Sequence, residues 1–197
     1  MYSMTTSATR KRLIDSTRKL LWQNGYAATS PRVILDDAGV GQGSMYHHFR
    51  GGKEQLAAEA LAVTARELLD GAQEVLRGRG SAVHRLTGYL LRQRDVLRGC
   101  PIGRMTGDVD VLGSPALRDI VGTTFESVRQ MMREVIDQGI EAGELPGALD
   151  SADLTDTVLA VVQGGYVLAR AAGTPEPFDR AVRGAVVLVE SAARRSS

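Results

Sequence analysis

Three places in the chain bring chemistry-bearing residues close together. The run GVGQGSMYHHFRGGK, residues 39–53, combines alternate glycines, two histidines and a lysine; Cys100 stands between Arg98 and Arg104; Asp108 and Asp110 flank a single residue. A phosphate-cradling loop needs a strand before its glycines and a lysine-serine ending, and here the preceding residues read as helix with no such ending. Two metal-binding imidazoles on a helix need i, i+4 spacing. His47 and His48 are neighbours that diverge by about 100° on a helix, and His84 is the only other histidine. The basic neighbours of Cys100 favour a thiolate, but no His, Asn or acid in the GCPIG turn completes a catalytic arrangement, so a small buried packing residue is expected. Asp108 and Asp110, as i and i+2 on a helix, point apart. No catalytic residue, metal or cofactor is expected, and the 39–53 run is left as a surface shaped to touch something.

The composition bounds what that partner is. Of 197 residues, 43% are apolar and 24% charged, the balance of an ordinary globular chain. No apolar run approaches the ~20 residues of a membrane span, and MYSMTTSATRKR lacks a signal peptide's apolar core, so no membrane partner and a cytoplasmic location are expected. A single cysteine excludes an internal disulfide and multi-cysteine metal sites. Net charge is only +1, yet residues 1–53 carry eight Lys/Arg against three Asp, a net +5 that the rest offsets with −4. A basic head on an acidic body suggests that the head alone meets a polyanion, although for charge by itself a solvated basic face is the favoured reading.

The elements that position these residues read as helices throughout. Leu13, Ile14, Leu20, Leu21 and Trp22 form an apolar stripe over Thr9–Gln23, with Arg10, Lys11, Arg18 and Lys19 opposite and Asn24-Gly25 as the stop. A short helix follows from Pro31, capped by Thr29 or Ser30 and ended by Gly39. Gln42–His48 makes a third, of about two turns. A longer helix starts near Gly52-Lys53 and fades at RGRGSAV, the expected domain boundary. Ala82–Leu97, Pro115 to about Ala142, Ser151–Ala172 and Phe178 to about Ala193 complete an all-α chain of about nine helices. The expected organisation is a basic head over 1–53, a connecting helix over 53–76 and a helical body over 77–197.

Two short helices joined by the glycine turn AGVG form a helix-turn-helix, whose second helix enters the major groove. Val33, Ile34, Tyr46 and Phe49 are expected to anchor both onto the first helix, with Ala38 and Val40 inside the turn. Small residues at Gly41, Gly43 and Ser44 allow close approach to DNA. The run from Gly25 to Leu56 resembles the signature of tetracycline-repressor-type (TetR family) regulators at Gly25-Tyr26, Thr29, Ala38-Gly39-Val40, Gly43-Ser44-x-Tyr46-x-x-Phe49 and Lys53. The GCPIG segment and the extra glycine before Lys53 resemble the LmrA/YxaF-like subgroup. Gly41 stands where the family often has Ser or Thr, and Gln42 where it frequently has Lys; Gly41 caps less well, and Gln42 exchanges a phosphate contact for bidentate reading of adenine.

Residue roles follow as expectations. Gln42, Gly43, Ser44 and His47 face the groove. Arg10, Thr29, Arg32 and Lys53 position the backbone. Tyr46 either offers its hydroxyl to a phosphate or is a core aromatic with that hydroxyl at the surface. Arg10–Arg12 form a helix face or, less simply, an arm entering the minor groove. By resemblance, the last two helices form a homodimer that reads a palindromic double-stranded operator. Gly164-Gly165, mid-helix, asks for a close neighbour from a second copy or from the same chain. An unidentified small apolar effector is expected among Leu86, Leu90, Met105, Val109, Phe125, Val128, Met132 and Tyr166, coupled to DNA affinity. The expected function is a ligand-responsive, sequence-specific repressor. Nonspecific DNA binding and a small helical enzyme are the competing readings.

Overall fold

The computed structural model describes residues 2–194, and side chains from Ala8 onward. Nine α-helices account for most of them: α1 Tyr2–Asn24, α2 Pro31–Ala38, α3 Gln42–His48, α4 Gly52–Leu76, α5 Ala82–Leu91, α6 Val109–Gly113, α7 Pro115–Glu141, α8 Ser151–Ala172 and α9 Glu176–Arg194. A 3-10 turn over Gly103–Gly107 precedes α6. Among the described residues there is no strand, and no helix is long and apolar enough to cross a membrane.

The chain divides into two compact units, with divisions inside α4 and α7 and another between Cys100 and Pro101. The first joins Met1–Glu67 to Pro101–Thr124; the second joins Leu68–Cys100 to Phe125–Ser197. Residues 101–124, assigned from sequence to the helical body, therefore belong with the first three helices.

In the first unit, Leu13, Leu21, Ile34, Met45, Phe49, Leu56, Met105 and Leu117 are almost fully buried and form its core. Sequence-coded caps set the short helices. Ser30 accepts from the Val33 amide at 3.3 Å, Pro31 supplies the first turn, and Gly39 closes α2 in the left-handed conformation at φ 62°. Two of the expected anchors are corrected: Val33 is 42% and Tyr46 52% exposed, and Leu35 and Met45 take their places inside. On helices this short, a slip of one position changes which face points inward.

In the second unit, α8 packs along α9, and α5 also lies against α9. Leu86, Leu90, Val128, Met132, Ile136, Val158, Val162, Phe178 and Val189 fill the core. Asp150 caps α8 by accepting from the Ala152 and Asp153 amides, and Gly173 ends it. The Gly164-Gly165 pair serves two different needs. A Cβ on Gly165 would come within 2.9 Å of the Phe178 ring, so the chain's own α9 requires that glycine, whereas Gly164 faces open space. Helix α5 stops at Leu91 rather than Leu97, because Arg92 turns extended and Arg94 folds its guanidinium back onto the last carbonyls.

Candidate nucleic-acid interface

Helix α3 is a short rod with two unlike faces. Met45 and Phe49, each 0% exposed, hold it down, while Gln42, Gly43, Tyr46 and His47 stand in solvent on the opposite side. The 3.6-residue period puts positions 42, 43, 46 and 47 on one surface. Ser44 is half-buried at its margin. Nothing lies within 4 Å of where a Cβ on Gly41 or Gly43 would sit, so the helix N-terminus is bare on the side a groove would meet. Gly41 makes no side-chain cap bond, and the Ser44 amide donates to the Gly41 carbonyl at 3.0 Å. The helix carries no acid. His47 and His48 lie ring to ring at 5.1 Å, and burial, then the neighbouring His47 and Arg10, hold the His48 imidazole below its ordinary value.

The expected backbone-positioning residues fall into two groups. Arg32 is free for an outside partner: its side chain is 92% exposed and makes only a 4.0 Å approach to Asp36. Arg10 and Lys53 are engaged inside the unit. Arg10 pairs with Glu59 and lies 5.2 Å from the Phe49 ring centroid, and Lys53 sits 4.0 Å over the Tyr26 ring. Burial lowers the Lys53 pKa, with Asp110 and Asp108 opposing. Thr29 is corrected. It is 0% exposed and its hydroxyl donates to the Gly25 carbonyl at 2.6 Å, so it stiffens the turn before α2 rather than facing outward. Arg10–Arg12 lie within α1, not on an arm. The Tyr46 ring leans toward the start of α4, 3.7 Å from where a Gly52 Cβ would be, and keeps half its surface in solvent.

A joint missed by sequence reasoning supports this surface. Asp108 precedes α6 instead of lying on it, so the argument that i and i+2 carboxylates diverge does not apply. Its Oδ1 accepts from the Asp110 and Val111 amides, and its Oδ2 accepts from Tyr26 at 2.7 Å and Ala27 at 2.9 Å. One carboxylate thus caps α6 and holds the turn after α1. Arg104 donates to the Trp22 and Gln23 carbonyls at the end of α1, and the Ser114 hydroxyl donates to Glu54 at 2.5 Å. Gly25 is needed twice here: its φ is +83°, and a Cβ would stand 3.0 Å from Asp108 Oδ2. The exposed Arg50, just past α3, is a second cation sequence reasoning passed over. An Asp immediately before a short helix is the signal that would have identified Asp108.

Other predicted sites are placed as follows. Leu86, Leu90, Val128 and Met132 are buried, Tyr166 is 9% and Phe125 partly exposed, all in the second unit. Met105 is buried in the first unit, and Val109, also there, is 80% exposed. Cys100 is buried and forms no disulfide. Among the described residues no three His, Cys, Asp or Glu side chains gather as metal ligands.

Comparison with known proteins agrees with this geometry. Residues 13–60 match the family model for bacterial regulatory proteins of the tetR family, and residues 81–185 match the tetracyclin repressor-like C-terminal domain. The HTH-type transcriptional regulator LmrA of Bacillus subtilis is 23% identical over 184 residues, 89% of this chain and 93% of that protein. The HTH-type transcriptional repressor KstR2 of Mycolicibacterium smegmatis is 27% identical over 143 residues, 72% and 69% of the two chains. The crystal structure of a TetR transcriptional regulator from Chloroflexus aurantiacus superposes with a TM-score of 0.84 at 26% identity, covering 94% of this chain and 96% of that one. With its helix-turn-helix and its helical body both matched, the chain belongs to the TetR family of DNA-binding transcriptional regulators.

Proposed function

We propose that the protein is a homodimeric, cytoplasmic repressor that reads a palindromic operator through α3 and leaves it when a small organic effector binds the body. The observation that carries this reading is the α3 surface, where Gln42, Gly43, Tyr46 and His47 stand clear of the unit on the buried Met45 and Phe49. Gln42 supplies the donor-acceptor pair that suits adenine, and Gly43 and Ser44 let the helix approach base edges closely. Arg32 and Arg50 bind phosphates and set the register. Tyr46 adds a hydroxyl to a phosphate. Lys53 and Arg10 serve the interface indirectly, by holding Tyr26 and Phe49 in place.

The partner in the dimer is a second copy. Val167 at 68%, Leu168 at 56%, Val187 at 56% and Leu188 at 66% exposure line the outer faces of α8 and α9, beside the open Gly164 and Gly184. Apolar residues so exposed, next to glycines that admit a close helix, suit a four-helix contact. Residues 1–53 carry the DNA contacts, 53–76 connect, and the parts of 77–197 that lie in the second unit dimerise and hold the effector, with Leu86, Leu90, Phe125, Val128, Met132 and Tyr166 as its surroundings. Occupancy is repressive because the two heads of a dimer cover adjacent half-sites, and the name of the KstR2 relative supports that sign.

The test is selection of the purified protein on a randomised duplex library at fixed physiological salt. Enrichment of two inverted half-sites, one helical turn or a multiple apart, is the expected outcome. Binding without enrichment that vanishes as salt rises would replace it with nonspecific attraction by the basic head.

A further inference from the structure

Helix α5 ends in an unusual concentration of positive charge. The Arg94 guanidinium donates Nη1 to the Leu90 and Arg92 carbonyls, each at 2.8 Å, and Nη2 to the Tyr89 carbonyl. These bonds satisfy orphan carbonyls and meet the negative end of the helix dipole. They leave Nε buried with no hydrogen-bond partner. Arg92 stands beside it, and the two guanidinium groups lie 4.8 and 5.2 Å from the centroid of one ring, that of Tyr89. Among the described residues, no carboxylate forms an ion pair with either arginine, and the groups acting on Arg94 are Tyr166, Arg92 and Tyr89, with no carboxylate among them.

The neighbours of this pair are aromatic. Arg94 is 5.8 Å from the Phe178 ring, which stacks on Tyr166 at 4.8 Å. Tyr89 and Tyr166 are 4% and 9% exposed. Burial raises both hydroxyls, Tyr166 to about 12, so each keeps its proton and can donate. Cations drawn out of water are normally paired, and two together repel unless an anion lies between them. A planar guanidinium with a spare Nε–H is suited to a carboxylate.

We propose that Arg92 and Arg94, beside Tyr89 and Tyr166, bind the anionic head of the effector, which is an organic carboxylate on an apolar or aromatic body. The proposal rests on reading the second unit as the effector-binding part, and it adds the effector's charge and the residues that select it. Tyr166 becomes part of the polar head site, with Phe178 as the apolar surface next to it.

Calorimetry on the full-length protein tests this with two matched pairs, 1-naphthylacetate with 1-naphthylacetamide and decanoate with decanamide. Wild type should bind the acid of at least one pair about tenfold or more tightly than its amide. Arg94→Gln and Arg92→Gln should each reduce that ratio to about twofold or less, and Arg94→Lys should retain part of it. Arg92 donates none of the bonds that cap α5, so its variant reads the charge even if Arg94→Gln unfolds the helix end. The exposed Arg129→Gln should keep the wild-type ratio. Equal binding of acid and amide by wild type, including no binding of either, overturns the proposal, as does an undiminished ratio in Arg92→Gln. The same probes added to the protein on its selected duplex separate the two readings. An acid preference with no release of DNA keeps the anion site and removes its effector role; a selected duplex with no acid preference leaves the regulator intact and removes the anion site.

Discussion

Two surfaces of the molecule are left open, and they are open in opposite ways. On α3 the large apolar residues are turned inward and polar groups with bare glycines are turned out. On α8 and α9 leucines and valines are turned out beside glycines. Water solvates the first surface at little cost, so it can remain free and engage a hydrophilic polyanion. The second is costly to hydrate and suits a partner that covers it permanently. Glycine serves both, by removing Cβ where a groove or another helix must come near.

The comparison can be broken most forcefully from beneath α3. Phe49→Ala removes a ring with no exposed surface and should destabilise the protein by about 3–5 kcal/mol. Calorimetric melting checks this, and a loss below about 1 kcal/mol would mean that α3 is held by something other than its two buried anchors. Next in size, the double change Leu168→Glu with Leu188→Glu places charge on the outer face of α8–α9. It should yield a folded monomer by light scattering, with about 100-fold weaker binding to a two-half-site duplex because the second head no longer binds intramolecularly. A dimer that survives would show that these leucines are ordinary surface.

Within the α3 surface, polar contacts should separate into readers and positioners. Gln42→Ala should cost roughly 1–3 kcal/mol on the selected duplex and relax preference at one base position per half-site. Arg32→Ala should weaken selected and random duplexes alike and lower the salt slope by about 1. Titrations at several salt concentrations distinguish the two, and an exchange of these behaviours would reverse the assignment. The smallest effect concerns His48. Burial, His47 and Arg10 all disfavour its protonated form, so its folded pKa lies below the unfolded one. Its contribution to stability is therefore intact above the ordinary imidazole value and lost as pH falls through the depressed one. Imidazole proton NMR should find its midpoint below that of a free histidine, and Arg10→Gln should move it upward.

The helices, their order and most of their ends were legible from local chemistry. Pro31 and Gly39 bound α2 through geometry set by the residue itself and its immediate neighbours, so spacing alone located them, while the choice of Ser30 over Thr29 as the cap came from the structure. The TetR signature over the first helices was legible for the same reason, because a turn, a positive φ and a small residue are local demands. Which side of a two-turn helix faces inward was not. Val33 and Tyr46 are as apolar as Leu35 and Met45 for this purpose, and only the packing of α2 and α3 against α1 and against each other chose between them. Nor could a sequence reveal that Asp108 would bond amides 81 and 82 positions away, or that Arg94 would lose water without gaining a carboxylate. Local propensity and capping depend on residues within a turn of one another, and the sequence determined those. Burial, ion pairing and desolvation depend on which distant segments meet, and only the tertiary structure decided them.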